Sequence, residues 1–474
     1  MVVAGLTALT VWGFSIALRL RKGGRSVDLS TYVNRPLPCA CGKVHEVPIR
    51  RIEIGEHALT SLADFVQSES WGRVLVVDDD RTGAVLGDTV TAALKASGAD
   101  VSSIRFRLPS SHEGEHLTAD REAIDLAQEA IGRAKAAVVV VVGSGTLTDI
   151  GRYASAQSGI PFVSVATAPS VDGYASTVAA LQFDGMKVTK AAQAPVGIFA
   201  LPSVLAGAPW ELIQAGFGDL IGKTTSLLDW KLACHLYSED WCQASYDLVA
   251  SSLNECLTLV DRLLVRDPRA VEALFKGLLS SGIAMAMMGN SRPASGSEHH
   301  CSHYWDFLAY KKQRRHGSHG MQVGFATYFT MQAYEALALN RGLREPEYPE
   351  PDAGWFDEVR NRWGVAADEV IAQQSDKRAW IRQREKPVTW GAHAQQAIVD
   401  ALKTELSGLA DIRRALALMG LSTSGASLEV TSDVLYDTLV HAREVRARYT
   451  IFDFWAGQGL LEEIAQVICE KATL

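Results

Sequence analysis

The sequence is poor in cysteine: seven residues, an odd number, are scattered over 474 positions. That excludes the disulfide framework of a small secreted scaffold and fits a reducing compartment, so a cytoplasmic location is expected. Positive charge is not in excess either. Lys and Arg total 46 against 54 Asp and Glu, a formal charge of -8. This leaves no electrostatic footprint for nucleic acid, although an anionic substrate can still be held by single Arg or Lys side chains or at a helix N-terminus. The uncharged stretch Val2 to Leu18, followed by Arg19, Arg21, Lys22 and Arg25, falls short of the about 20 residues of a comfortable membrane span. It contains Thr, Ser and Gly and lacks the basic start and small-residue cleavage site of a secretory signal. Membrane contact through residues 2–18 is therefore disfavoured against a frayed extension or a start codon placed too early.

What is present is material for large cores. Hydrophobic residues make up 47% and charged residues 21%, and the length calls for two or three domains. From Trp71 the pattern alternates. Arg73 to Asp78 reads as a buried strand, Thr89 to Ala96 as a helix, Val101 to Arg107 as a strand, Glu113 to Ala136 as a helix and Ala137 to Val142 as a β-branched strand covered on both faces. After Leu201 strand signals nearly vanish, and Phe217–Trp230, Glu239–Arg266, Pro268–Met288, Met321–Asn340 and Ala397–Met419 carry helical periodicity. The expected architecture is an α/β, Rossmann-like domain over 49–205 and an all-α domain over 206–474, preceded by an extension over 1–48.

Three segments carry chemistry. The valine strand runs into Gly143-Ser-Gly145-Thr-Leu-Thr-Asp149, a strand, a glycine turn and a helix start. Backbone N–H groups in such a turn can hold a pyrophosphate, although the strict G-x-G-x-x-G fingerprint is absent and a tight turn wants glycine regardless. A second strand ends in the hydroxyl-rich loop Thr167-Ala-Pro-Ser170-Val-Asp172-Gly-Tyr-Ala-Ser176, at the sheet edge where ligands of open α/β folds bind or as a plain solvated turn. The third segment holds five histidines in 21 residues, His299, His300, His303, His316 and His319. His299 and His303, at i and i+4, share one helical face, and with Asp219 of Gly-Phe-Gly-Asp they offer a half-open shell of imidazoles and a carboxylate for a divalent metal. A partly exposed polar helix and loop is the competing account. Near the start, Cys39-Ala-Cys41-Gly-Lys-Val-His45 supplies three soft ligands. A zinc site needs a fourth and normally a wider pair spacing, so a loop without metal is expected there. Asp78-Asp-Asp80 could engage a ribose hydroxyl or be a solvated turn.

Five runs together, Gly143–Ile150, Thr167–Ser176, Gly216–Lys223, Arg292–His300 and His319–Gly324, resemble in order and spacing those of sn-glycerol-1-phosphate dehydrogenases, specifically the bacterial AraM-type branch. That family sits with the iron-containing alcohol dehydrogenases, glycerol dehydrogenase and dehydroquinate synthase, and the resemblance spans the chain from about Cys39 onward. It implies a Rossmann-like N-terminal domain and a helical C-terminal domain, a dehydroquinate synthase-like fold. It further implies that Gly145, Thr146, Leu147, Thr148 and Asp149, with Thr167, Ser170 and Ser176, contact NAD(H) or NADP(H). Asp219, His299 and His319 would hold one divalent metal, nickel or zinc, with His300 and His316 as lesser rivals. Asp172, Asp219 and His303 would contact the substrate, Asp172 and His303 serving catalysis. Met321 departs from the wider superfamily, where an acid often follows His-Gly.

The activity so implied is NAD(P)H-dependent reduction of dihydroxyacetone phosphate to sn-glycerol 1-phosphate, with the metal polarising the ketone and His303 relaying a proton. Lys223, Arg292 and Arg314 are the candidate phosphate partners. A homodimer is expected from the resemblance, and the product would suit an unusual lipid or wall component. The alternatives are another metal-dependent polyol or sugar-phosphate dehydrogenase and a dehydroquinate synthase-like cyclase; a membrane-tethered binding protein with a degenerate site is the non-enzymatic reading.

Overall fold

The computed structural model describes residues 27–107, 117–183, 186–313, 317–339, 343–391, 393–423 and 425–472. The N-terminal apolar stretch, Arg314 and His316 lie outside them. Ten strands are present among these residues. A short hairpin, β1 (Leu37–Pro38) and β2 (Val44–His45), precedes β3 (Arg51–Ile54), β4 (Arg73–Asp79), β5 (Asp100–Phe106), β6 (Val138–Gly143) and β7 (Phe162–Ala166). The antiparallel pair β8 (Val178–Phe183) and β9 (Met186–Ala191) and then β10 (Gly197–Ala200) complete the set.

Six of them form one parallel sheet in the order β3, β10, β7, β6, β4, β5. The valines of β6 explain its central place. Val139 and Val141 enter one core with Leu75 and Val77 of β4, whereas Val138, Val140 and Val142 enter a second core on the other face with Val74 and Val76. A strand apolar at every position must be covered on both sides. Each fully buried valine contributes roughly 1.5–3 kcal/mol relative to exposure. The chain moves from β4 outward to β5 and returns to the other side of β4 as β6. The crevice beyond the carboxyl ends of β4 and β6 is therefore the topological switch point, the usual ligand position of such sheets.

Four helices cover this sheet: α1 (Ala58–Ser68), α2 (Asp88–Ala96), α3 (Arg121–Ala134) and α4 (Gly145–Gln157). The long α5 (Trp210–Tyr237) follows, then α6 (Gln243–Thr258), α7 (Pro268–Met288), α8 (Ser297–Lys311) and α9 (His319–Leu339). Shorter helices fill the remainder to Lys471, and the expected helix over 397–419 is three pieces, Ala394–Ala401, Lys403–Leu406 and Leu409–Leu418. Ser407-Gly408 separates the last two, where Gly408 has no side chain to pack.

The compact units divide elsewhere than at the expected boundary after residue 205. Among the described residues, one comprises 27–220 with Gln243–Ser291; the other comprises Ile221–Cys242 with the chain from Arg292 onward. The change from strands to helices does occur near residue 202, but α6 and α7 belong with the sheet. Gly282 and Gly277 of α7 let the backbone come close. A Cβ on Gly282 would stand 2.6 Å from that of Ala175, and one on Gly277 would stand 2.6 Å from Leu220. Tyr174 meets Phe275 edge-on at 5.3 Å, and Ser252 and Ser280 share a hydrogen bond of 2.7 Å across α6 and α7. Among the described residues, α7 is the one helix long and apolar enough to cross a membrane, and 72% of its apolar window is buried as core.

In the helical unit Asp229 of α5 is a central node. Its Oδ2 accepts from the Ser297 N–H and hydroxyl, each at 2.6 Å, and its Oδ1 accepts from Tyr334 at 2.6 Å and the Ile451 N–H at 2.8 Å. Four donors from three distant segments thus order the start of α8, the middle of α9 and the helix Ile451–Gln458 around one carboxylate.

Candidate metal and nucleotide sites

The glycine turn lies at the switch point. Gly143 ends β6, Ser144 stands at the N-cap without a side-chain capping bond, and α4 begins at Gly145 with no acid in its first turn. That leaves a helix N-terminus oriented toward an anion. One turn on, Gly151 lets α4 lie against the sheet, since a Cβ there would fall 2.2 Å from Val141. This close helix-to-strand packing is what the dinucleotide fingerprint uses its last glycine for. Thr146 and Leu147 occupy the first turn with Gly145, and Thr148 is buried.

Asp149 has a more structural setting than its predicted cofactor contact. Its Oδ1 accepts from Arg152 at 2.7 Å, and the fully buried Arg152 guanidinium also donates to the carbonyls of Gly173, Tyr174 and Val178. Arg152 therefore ties α4 to the turn Asp172–Ala175, a role the sequence does not announce. Tyr174 helps by donating to the Ala168 carbonyl at 2.7 Å. Thr167 and Ser170 are buried in the same loop, and the Thr167 N–H bonds to the Gly143 carbonyl at 3.1 Å. Ser176 spends its hydroxyl locally, accepting from Val178 N–H at 3.0 Å. In the acidic run, both Asp78 oxygens accept from Arg105, at 2.7 and 2.8 Å, and Asp79 caps the next helical turn through Arg81 and Thr82. Asp78 is thus a buried ion-pair partner, and Asp79 a helix cap.

The loop over 167–172 is seated directly on α5. A Cβ on Gly216 would fall 1.6 Å from the Pro169 carbonyl oxygen, so only glycine permits this approach. One turn later the Asp219 carboxylate, fully buried, accepts the Asp172 N–H at 2.9 Å through Oδ2. The loop and the carboxylate are fixed by the same few residues, which explains why both runs carry glycine and aspartate in close order.

Asp219, His299 and His319 offer ligand atoms all within 4.8 Å of one another. Asp219 stands one turn before Gly222 on an unbroken helix, and Gly222 packs against Glu298 and Val323, where its missing Cβ would meet them at 3.2 and 2.5 Å. The His299 and His319 rings are 5.2 Å apart between centroids, His303 and His319 6.0 Å, and His299 and His303 6.4 Å. The hydrogen bonds orient each imidazole. His299 Nδ1 donates to Glu298 Oε1 at 2.7 Å, which leaves the Nε2 lone pair for a metal. Ser302 gives its proton to Gln322 Oε1 at 2.8 Å, so its oxygen can accept from His319 Nδ1 at 3.3 Å, again leaving Nε2. The donor set, one carboxylate and two imidazoles with oriented tautomers, fits a divalent transition metal. His300, the rival, is fully buried with neither ring nitrogen bonded, and burial followed by the nearby Lys377, Arg448 and Arg446 charges hold it well below its usual range. It is not among the three that converge.

Glu298 has no exposure; burial works to raise its carboxyl. The hydrogen bonds from His299, Thr225 at 2.6 Å and the Gly296 N–H at 2.7 Å outweigh this and hold it below the usual carboxylate range. Asp229 goes the other way: burial, then the charge of Glu298, push it up to about 6.

His303 accepts a hydrogen bond at Nε2 from Arg446 Nη2 at 3.2 Å. An arginine only donates, so the neutral ring carries its proton on Nδ1. Arg446 is pushed down by burial, and Arg448 is pushed down to about 9 by burial and the charges of Arg292 and Arg446. Cations in such surroundings favour an anion. Of the predicted phosphate partners, Arg292 is already committed: it pairs with Glu239 and donates to the Tyr449 carbonyl at 2.9 Å. Lys223 is fully buried on α5. Arg446 and Arg448 were not foreseen, because an Arg-Ala-Arg run between two helices carries no signal of what it will face.

A family model for iron-containing alcohol dehydrogenases matches residues 53–209. The glycerol-1-phosphate dehydrogenase [NAD(P)+] of Bacillus licheniformis is 36% identical over 313 residues, spanning 65% of this chain and 77% of that protein. The enzyme of the same name from Halalkalibacterium halodurans is 36% identical over 305 residues, 64% of this chain and 75% of that one. Among solved structures, the alcohol dehydrogenase of Oenococcus oeni superposes with a TM-score of 0.56 at 14% identity, covering 90% of this chain and 98% of the other. That likeness establishes the fold, an α/β Rossmann-like part followed by a mostly helical part, as in iron-containing alcohol dehydrogenases. With more than a third of residues identical over three quarters of a relative's length, the chain belongs to the glycerol-1-phosphate dehydrogenase family.

Proposed function

We infer that the protein reduces dihydroxyacetone phosphate to sn-glycerol 1-phosphate with NADH or NADPH, using one divalent metal, nickel or zinc. The observation that carries this reading is the convergence of Asp219, His299 and His319 close to His303, with Arg446 bonded to His303. A metal supplies Lewis-acid polarisation of a ketone, and the dinucleotide supplies hydride. The protein's own part is to orient and to move a proton. Glu298 and Ser302 fix the ligand imidazoles, and Asp172 fixes Asp219 through its N–H. His303, held by Arg446 with its proton on Nδ1, delivers that proton to the developing alkoxide oxygen. The Gly145–Asp149 turn and the Thr167–Ser176 loop hold the dinucleotide, with phosphate at the uncapped start of α4. Arg446, backed by Arg448, takes the substrate phosphate in place of Arg292, since its charge is poorly compensated.

The test is oxidation of NADH and NADPH by protein stripped of metal and reloaded with nickel, zinc or iron, on dihydroxyacetone phosphate and on dihydroxyacetone. Metal-dependent turnover of the phosphorylated ketone, abolished in His319→Ala, is expected, with chiral analysis giving the sn-1 product. Turnover of dihydroxyacetone alone would reassign the protein to a polyol dehydrogenase, and silence on every ketone would point to the cyclase or the binding protein.

A further inference from the structure

Cys39, Cys41 and His45, three soft ligands without a fourth in the sequence around them, are joined in the structure by Cys242. Their ligand atoms all lie within 4.8 Å of one another. We propose that these four residues bind a structural zinc ion that clamps the N-terminal hairpin to the paired helices α6 and α7. The site is separate from the Asp219 group, and neither the family relationship nor the proposed reaction requires it.

The local fold builds it. β1 and β2 pair antiparallel with Leu37 opposite His45, and the tip between them is closed by the Cys39 N–H to the Lys43 carbonyl and the Gly42 N–H to the Cys39 carbonyl, each at 3.0 Å. Gly42 sits at φ +84, a left-handed conformation that glycine adopts without cost. This tight turn places the Cys39 and Cys41 thiols and the His45 ring on one side despite the short Cys-x-Cys spacing. Cys242 precedes Gln243, the first residue of α6, by one peptide bond and is almost fully buried, as is His45.

The second observation is the tautomer of His45. Its Nδ1 lies 2.7 Å from the carbonyl oxygen of Met287, 242 positions away near the end of α7. A carbonyl only accepts, so the ring proton is on Nδ1 and the Nε2 lone pair points into the cluster, 3.3 Å from Cys41 Sγ. A backbone carbonyl behind a ligating imidazole is the usual outer support of a zinc histidine. Zinc with bonds of about 2.3 Å to sulfur and about 2.0 Å to nitrogen separates tetrahedral ligand atoms by about 3.5–3.8 Å. The cluster therefore needs only a small closure. Three thiolates and one imidazole select a soft d10 cation over the hard cations.

Cobalt substitution tests this on the whole protein, because a thiolate-to-cobalt charge-transfer band in the near ultraviolet cannot arise from a site made of Asp219, His299 and His319. The expected result is a band in the wild type that is lost in Cys41→Ser and Cys242→Ser and kept in His299→Ala. Zinc analysis should show one equivalent per chain lost in the same two cysteine variants and none in Cys469→Ser. X-ray absorption at the zinc edge of the wild type, which needs no variant to fold, should report three sulfur neighbours and one nitrogen when the Asp219 site is loaded with nickel. Absence of the cobalt band, or a zinc shell with no sulfur, would overturn the proposal, as would a disulfide joining these cysteines in protein purified under reducing conditions.

Discussion

Glu298 holds the Nδ1 proton of His299 at 2.7 Å while having no exposure to solvent itself. Behind His299, a proposed metal ligand, a fully buried carboxylate would fix both the ring orientation and the basicity of the nitrogen left for the metal. Glu298→Gln keeps the shape and removes the charge. Metal affinity should fall about 10–100-fold, measured by competition with a chelating dye, and activity should return at saturating metal. Unchanged affinity would mean that His299 needs no such support.

Arg446 is expected to read the phosphate. Loss of a hydrogen bond to a charged group corresponds to about 1.5–3 kcal/mol, so Arg446→Gln should lower kcat/KM for dihydroxyacetone phosphate by about 10–100-fold. The same variant should alter turnover of dihydroxyacetone far less. A parallel fall for both ketones would assign Arg446 to the positioning of His303 alone.

Asp229 makes stability depend on pH in an unusual direction for a carboxylate. Its folded pKa, about 6, lies above the ordinary 3.8, because burial and the Glu298 charge disfavour ionisation. The folded state binds the proton more tightly than the unfolded one, so this contribution is complete below about pH 4 and is lost as pH rises to about 6. The amount is on the order of 2–3 kcal/mol. Comparison of urea unfolding of the wild type and Asp229→Asn across this window should show the wild type losing stability relative to the variant as pH rises. Parallel curves would place the Asp229 titration elsewhere.

Two glycines beside the proposed nucleotide loops should respond differently to alanine. At Gly216 the new methyl would strike the Pro169 carbonyl, which is backbone, at 1.6 Å. At Gly145 it would meet Val171 Cγ2 at 3.2 Å, a side chain that can rotate. Alanine in an open helix would stabilise by roughly 0.5–1 kcal/mol. Gly216→Ala should instead destabilise by about 3 kcal/mol, the upper range for overpacking, and weaken dinucleotide binding as the 167–172 loop shifts. Gly145→Ala should unfold within a few degrees of the wild type in a thermal melt.

The legible parts of this chain are those where one residue type dominates a short segment. The valines of β6 and the apolar run of α7 declare buried elements by composition. Arg51-Ile-Glu-Ile54, by contrast, is an edge strand of four half-buried residues, too short and too polar to separate from loop. The β8–β9 hairpin was missed although Asp184-Gly185, a common two-residue turn signal, stands between two alternating runs. His299, His319 and Asp219 could be named because ordered motifs carried them. Glu298 was adjacent and unremarked, since a carboxylate beside a histidine gives no sign of which way it turns. Arg446 meets His303 across 143 positions, and Cys242 meets Cys39 across a longer interval, contacts that periodicity cannot encode. Membership of a compact unit is hidden for the same reason: helical period marks where strands stop, whereas membership of a core depends on which side chains find partners.

Among the described residues the edge strand β3 pairs only with β10, whose residues follow nearly the entire α/β segment in sequence. On a ribosome, β3 therefore emerges early and waits unpaired until residue 200 has been made, and the floor of the Asp172 turn waits further for α7. Pairings so distant in sequence are slow to form and expose apolar surface meanwhile. Fragments ending near residue 205 should consequently be insoluble, and rare codons placed between α5 and α7 should lower the yield of soluble protein more than the same codons placed after α9.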